Sequence, residues 1–376
     1  LFFSIFLNIW IFAILLKNNA GVNRLLEFDT DKMLRILMIH NGTTSPIEPF
    51  QFRNIHPLFS MGTASDRYAG WMGQIYSRER FEKSVKQRSK RLGKRTFKER
   101  VLPVESVEEY FLHFSTLELD FTFYRTLLDR EGNSTKTFTL LQDYKRYLNP
   151  ENRLILKAPQ AVFSRKLRRQ GGFVENEQYL DPHVFIKQFY NPAKDLLGPL
   201  LQGIVFEQEY QRRDERPPVE RYADQLQDFF EAIPTDARYH VELRTEAFLS
   251  ETVLRVFEDK GVGQVFSHWT WLPSLSKQFS FSQGSFFNKN RCIIRLMTPK
   301  GVRYQDAYGR AYPFDKVVEG MQSPEMVKDT VMLVQAAIGS EVPVSVIINN
   351  RAGGNAPGIA QQIATEFRTR HGSTAT

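Results

Sequence analysis

The residues of this chain with chemical potential sit late in apolar runs. Glu118 and Asp120 lie in TLELDF (116–121), and Lys157 lies in RLILKA (153–158). Glu207 follows PLLQGIVF (199–206), and Glu242 and Arg244 close YHVELR (239–244). His268 ends GQVFSH (263–268) ahead of Trp269 and Trp271; Arg295 sits in CIIRLM (292–297); Asn349 and Asn350 end PVSVIIN (343–349). A carboxylate in such surroundings needs a partner or a proton. Arg244 and Arg295 offer planar forks suited to a carboxylate or phosphate. Lys157 offers a point charge, or a base once desolvated. Glu118 and Glu242 can divide acid and base roles if their environments differ. Glu118, Glu207 and Glu242 also have the ligand type for Mg²⁺ or Mn²⁺, with the neighbouring Arg and Lys as competing partners. The seven His are scattered, so no metal-binding residue is assigned. A ring of ion pairs with no further role is the structural alternative.

Eight apolar runs need elements between them. Helical patterning occupies 104–113, 137–147, 219–232, 251–260, 324–338 and 356–368, and Asp181-Pro182 starts another helix with a cap and a first-turn proline. Near-continuous apolar runs alternating with amphipathic helices predict an α/β fold, a single TIM-like (β/α)8 barrel with inserted basic loops. In a parallel barrel the late polar residues converge on one mouth. After the eighth run comes NNRAGGNAPG (349–358). Gly353 and Gly354 permit close backbone approach, and Asn355 caps a helix whose free N–H groups favour an anion. A substrate-binding set of Arg244, Arg295, Asn349, Asn350, Gly353 and Gly354 follows, with Glu118, Glu242 and Lys157 as the catalytic candidates.

The net charge of +8 is local: residues 78–100 alone hold eleven Lys or Arg and three Glu. The remainder balances to zero, unlike a uniformly basic nucleic-acid binder. That segment reads as a basic helix broken at Gly93, and 164–178 as a second basic loop. Segments 78–100 and 164–169 make nucleic acid the rival partner to a small anionic ligand. A non-catalytic scaffold is the third reading. The single cysteine, Cys292, excludes an internal disulfide and suits a reducing cytoplasm. Residues 1–32 form an apolar extension, of which 1–16 is short for a membrane span and lacks a basic flank. It reads as a mis-assigned start, with Met33 or Met38 as the alternative, or as a membrane anchor or cleaved signal. A lead-in occupies 33–57, the barrel 58–370 and a tail 371–376. No G-x-S-x-G elbow, Walker loop or dinucleotide fingerprint occurs, so the cofactor is left unknown.

The motifs also resemble a known family. Gly62-Thr63, Trp71, Gly73 and Tyr76 resemble its opening pattern. TLELDFTFYR (116–125), LILKAP (154–159), LLGPLL (196–201), VELR (241–244), IIRLM (293–297) and IINN (347–350) follow in the family's order. The chain thus resembles the YecE-like family, domain of unknown function seventy-two, over about residues 58–368. The resemblance implies a TIM barrel and no assigned activity. Departures are Asp120-Phe121 for Asn-Ser, Met297 for His, and FEQEY for LPPSF after the fourth strand. Any mechanism that needs that His lacks it here.

Overall fold

Runs of Val, Ile, Leu and Phe that can be covered on both faces become parallel strands here, as their composition requires. The computed structural model describes residues 48–169 and 172–373. The apolar stretch 1–16, Met33, Met38, most of the lead-in and residues 374–376 lie outside the described residues. Twelve strands follow in chain order: β1 (Phe59–Ala64), β2 (Lys86–Leu92), β3 (Arg95–Val101), β4 (Thr116–Leu119), β5 (Arg153–Lys157), β6 (Lys166–Arg169), β7 (Gly172–Glu175), β8 (Leu201–Glu207), β9 (Tyr239–Glu242), β10 (Gly263–His268), β11 (Cys292–Leu296) and β12 (Val344–Ile348). Eight of them close a parallel barrel in the order β1-β12-β11-β10-β9-β8-β5-β4. These are the eight apolar runs of the sequence.

The helices of seven residues or more are α1 (Val107–His113), α2 (Lys136–Lys145), α3 (Asn191–Leu197), α4 (Val219–Ala232), α5 (Glu251–Lys260), α6 (Leu275–Phe281), α7 (Tyr304–Ala311), α8 (Pro324–Gly339) and α9 (Ala356–Ser373). In α4, Tyr222, Ala223, Leu226, Phe229 and Phe230 recur at helical spacing and are buried. Ser250 accepts the Val253 N–H to start α5, and Gly261 at φ +63° stops it. No described helix is long and apolar enough to cross a membrane.

Inside the barrel, period-two alternation stacks polar residues above apolar ones. Ile155, Val205, Val265, Ile293 and Ile347 belong to one apolar plug. Two residues further along their strands come Lys157, Glu207, Ser267, Arg295 and Asn349. The strand sequence itself therefore lifts a polar layer to the C-terminal mouth.

The basic segments differ from expectation. Residues 86–101 form an antiparallel hairpin of β2 and β3, not a broken helix. Gly93, at φ +59°, is the first residue of the two-residue turn between Leu92 and Arg95. Strand alternation then turns Phe97 inward onto Tyr308 and Tyr312, with ring centroids 4.9 and 5.3 Å away. Glu99 is buried beneath the hairpin and accepts from Arg88 Nε at 2.5 Å, from Lys90 Nζ at 3.2 Å and from the Tyr308 hydroxyl. Part of the basic charge is thus neutralised internally. The second basic loop is likewise a hairpin, of β6 and β7.

Candidate functional site

One guanidinium organises the centre of the mouth. Arg295, on β11, is 1% exposed. Its Nη2 lies 2.6 Å from Glu118 Oε1, and its Nη1 donates to Glu242 Oε2 and, at 3.3 Å, to Glu207 Oε2. Arg244 reaches Glu207 Oε1 at 2.7 Å and Glu242 Oε2 at 3.1 Å. Lys157 Nζ pairs with Glu207 and lies 4.1 Å from the Phe123 ring centroid. The Ser267 hydroxyl donates to Glu242 Oε1 at 2.6 Å. Burial opposes each charge, and the pairing repays it. Glu207 shows the balance: burial pushes its carboxyl up, but Arg244, Lys157 and Arg295 together hold it far below its ordinary range.

Glu118 behaves differently. Burial pushes it up to about 8, against the pull of Arg295 and with the neighbouring Asp120 adding to the push. Its Oε2 meets no hydrogen-bond donor among the described residues. Burial also raises Asp120, yet Lys157, the Glu118 carboxyl, Arg295 and Arg351 outweigh it and leave Asp120 below its ordinary value. Four carboxylates (Glu118, Asp120, Glu207, Glu242) face four cations (Lys157, Arg244, Arg295 and, acting on Asp120, Arg351).

Beside this cluster opens a cavity of about 630 Å³. It lies under the β2–β3 hairpin, on the β4–β1–β12 side of the barrel, and Asp120 forms part of its wall. Tyr68, Tyr124, Tyr304 and Phe314 give it aromatic walls. Its floor includes Asp66 and the consecutive Asn349, Asn350 and Arg351. Four buried polar atoms of these residues have no hydrogen-bond partner among the described residues: Asp66 Oδ2, Asn349 Nδ2, Asn350 Nδ2 and Arg351 Nε. The amide orientations are fixed by their other bonds. Asn349 Oδ1 accepts the Arg351 N–H at 3.0 Å. Asn350 Oδ1 accepts from Trp71 Nε1 at 3.1 Å and from the Ala356 N–H at 2.8 Å. Their amide nitrogens are therefore the atoms left over. Arg351 stacks over Tyr304, 4.3 Å from the ring centroid. The Tyr144 hydroxyl donates to Asp66 Oδ1 at 2.7 Å, yet burial still pushes Asp66 up to about 6.

The structure thus brings together Glu118, Lys157, Glu242, Arg244 and Arg295, but as mutual partners. Arg295, expected as a substrate-binding residue, has both Nη groups on carboxylates, and its Nε has no partner among the described residues. Arg244 remains 17% exposed at the edge of the cluster. Glu118, Glu207 and Glu242 each have at least one oxygen on Arg or Lys, and no group of three or more His, Cys, Asp or Glu that could hold a metal ion occurs among the described residues. Asn349 and Asn350 do line the cavity. Gly353 and Gly354 do not, which corrects their assignment as substrate contacts. A Cβ on Gly354, at φ +107°, would lie 2.5 Å from Lys316 O, and one on Gly353 would meet Gln322 at 3.0 Å. Their close approach is to the protein's own 316–322 segment. The start of α9 is also spoken for: Asn350 and Asn355 accept the Ala356 and Gly358 N–H groups. Asp66, Arg351 and the tyrosines were not singled out from the sequence. Asp66 follows β1 by two residues and Arg351 follows IINN directly, so the same strand-end rule reaches both.

A family model described as "Protein of unknown function DUF72" matches residues 60–376. Among solved structures, a DUF72 family protein from Thermotoga maritima aligns with a TM-score of 0.50 and 16% identity, over 84% of this chain and 99% of that one. A DUF72 family protein from Enterococcus faecalis aligns with a TM-score of 0.47 and 13% identity, over 82% and 95%. No curated protein matches the chain.

Proposed function

This chain belongs to the DUF72 family, and from that premise we propose that its barrel mouth binds and converts a small molecule bearing a phosphate or carboxylate. The observation that carries the reading is the row of donors at 349–351. Three consecutive side chains in the cavity wall hold N–H groups with no partner among the described residues. Buried donors left this way are costly unless something accepts from them, and an oxyanion is the strongest acceptor. Asp66 Oδ2 is an acceptor in the same wall, so the ligand also carries a hydroxyl or ammonium group. Aromatic walls suit its apolar faces.

The chemistry follows from the Glu118–Asp120 pair. Two adjacent carboxyls with affinities pushed apart can divide acid and base roles. Asp120 reaches the cavity and is ionised, so it accepts a proton from the ligand. Glu118 lies behind it and holds a proton at neutral pH. Lys157, Glu207, Glu242, Arg244 and Arg295 position this pair and set its charge. The test is calorimetric titration of the full chain with a panel of phosphorylated and carboxylated metabolites. Arg351→Gln is expected to weaken the ligand by roughly 10- to 100-fold, as for a hydrogen bond to a charged group. Asp120→Asn is expected to keep binding and lose turnover. A ligand bound equally by wild type and Arg351→Gln would sink the assignment.

A further inference from the structure

Across the mouth from the cavity, the rim carries large rings that the core does not use. Tyr210 follows β8, and Trp269 and Trp271 follow β10, on the far side of the barrel order from β4, β1 and β12. Tyr210 and Trp271 are 46% and 44% exposed, with ring centroids 6.0 Å apart. Tyr210 lies 6.1 Å from Trp269, and the Arg244 guanidinium sits 5.1 Å from the Trp269 centroid. Rings of this size are usually well buried, so a contiguous exposed set marks an interaction surface.

Cations adjoin the rings. The β6–β7 hairpin is tied to the segment that carries Tyr210: the Lys166 N–H donates to Glu209 Oε1 at 3.2 Å, and Arg165 donates to Glu215 O at 3.4 Å. Arg168 and Arg169 on β6 and Arg212 and Arg213 beyond Tyr210 are exposed. None of the four is in an ion pair among the described residues, whereas Lys166 is shared between Glu175 and Glu215. We infer that this rim binds single-stranded nucleic acid, with unpaired bases stacked on Tyr210 and Trp271 and phosphates beside Arg168, Arg169, Arg212 and Arg213. Exposed rings with unpaired arginines on the same and on the adjoining segment are what such a ligand requires, since every base has a face to stack and every link a charge. A duplex hides its base faces, and a neutral glycan has no use for four unpaired cations. The site is separate from the cavity and does not depend on the reading given to it.

The experiment is fluorescence anisotropy of a labelled oligothymidylate with the full chain at several salt concentrations. Trp271→Ala and Tyr210→Ala are each expected to weaken binding by roughly tenfold. The double variant Arg168→Gln/Arg169→Gln should flatten the slope of log K against log salt by about 1.4. All these side chains are exposed, and circular dichroism checks that the variants remain folded. Absence of binding overturns the inference. So does binding unchanged by Trp271→Ala but lost when Arg91, Lys98 and Arg100 of the β2–β3 hairpin are neutralised. Binding of cellohexaose in place of the oligonucleotide also overturns it.

Discussion

Two regions of one barrel mouth use the same residue types and the same strand-end positions, and they end in opposite states. In the ion cluster, Arg295, Arg244 and Lys157 are paired with Glu118, Glu207 and Glu242. In the cavity wall, Asn349, Asn350 and Arg351 keep donors that no protein acceptor meets, among the described residues. A charged residue late in an apolar strand is therefore ambiguous by itself. What separates the two regions is ion pairing: each cation of the cluster meets a carboxylate, and Arg351 is in no ion pair among the described residues. The cations of the cluster are each paired with a carboxylate, although Glu118 Oε2, Arg244 Nε and Arg295 Nε also lack a hydrogen-bond partner among the described residues; the cavity beside it is walled by a cation, Arg351, in no ion pair among them.

The largest effect should come from breaking the paired region. Arg295→Met leaves three buried carboxylates without their shared guanidinium, so the expected loss is about 3–5 kcal/mol of stability. Urea unfolding of the wild type and variant measures it. A variant as stable as the wild type that had lost ligand binding would make Arg295 a binding group and dissolve the contrast.

A smaller effect distinguishes members within the cluster by sign. The folded-state pKa of Glu118, about 8, lies above its ordinary 4.5. Between those values the folded chain holds a proton that the unfolded chain has released, so stability falls as pH rises through that window. Glu207 works in the other direction: its folded value is depressed, so its contribution is present above its ordinary 4.5 and is lost on acidification. Glu118→Gln should shrink the decline from about pH 5 to 8, most of all above pH 7, while leaving the acid limb and the part that Asp66, pushed up to about 6, and Glu209, pushed up to about 7, contribute. Unfolding free energies across that range check it. An unchanged alkaline decline in the variant would assign the proton to another group, with Asp66 the next to examine.

The contrast also explains how much could be read beforehand. The eight strands were legible because doubly covered strands are written as short apolar runs, and the polar layer follows from alternation along them. Two strands stop earlier than their runs suggest: β4 ends at Leu119 because Asp120–Phe123 turns into a 3-10 helix, and β9 ends at Glu242. The β2–β3 hairpin was misread as helix because its density of Lys and Arg masks alternation. The signals were there, with Gly93 at the turn and Phe97 and Glu99 two apart on one face. Helices α6 and α7 are short, at seven and eight residues, and no run of the sequence reading covers them. Ion pairing, by contrast, depends on where side chains from four or five strands meet. No single run records that Arg295 is enclosed or that Arg351 is not.

The smallest stability effect should come from the residue with the largest proposed binding effect. Arg351 makes no ion pair among the described residues and is half-buried. Its one described ring contact is with Tyr304, an interaction worth about 0.5–1 kcal/mol at an exposed site. Arg351→Gln removes that contact and the pull on Asp120, and it also removes a buried Nε that has no partner. The gain from the second offsets part of the loss from the first, so the net change should stay within about 0.5 kcal/mol. Thermal unfolding without ligand measures this change. A loss as large as that of Arg295→Met would mean that Arg351 is held by the fold as firmly as the cluster is. The cavity would then be a second structural network, and its leftover donors would no longer point to a ligand.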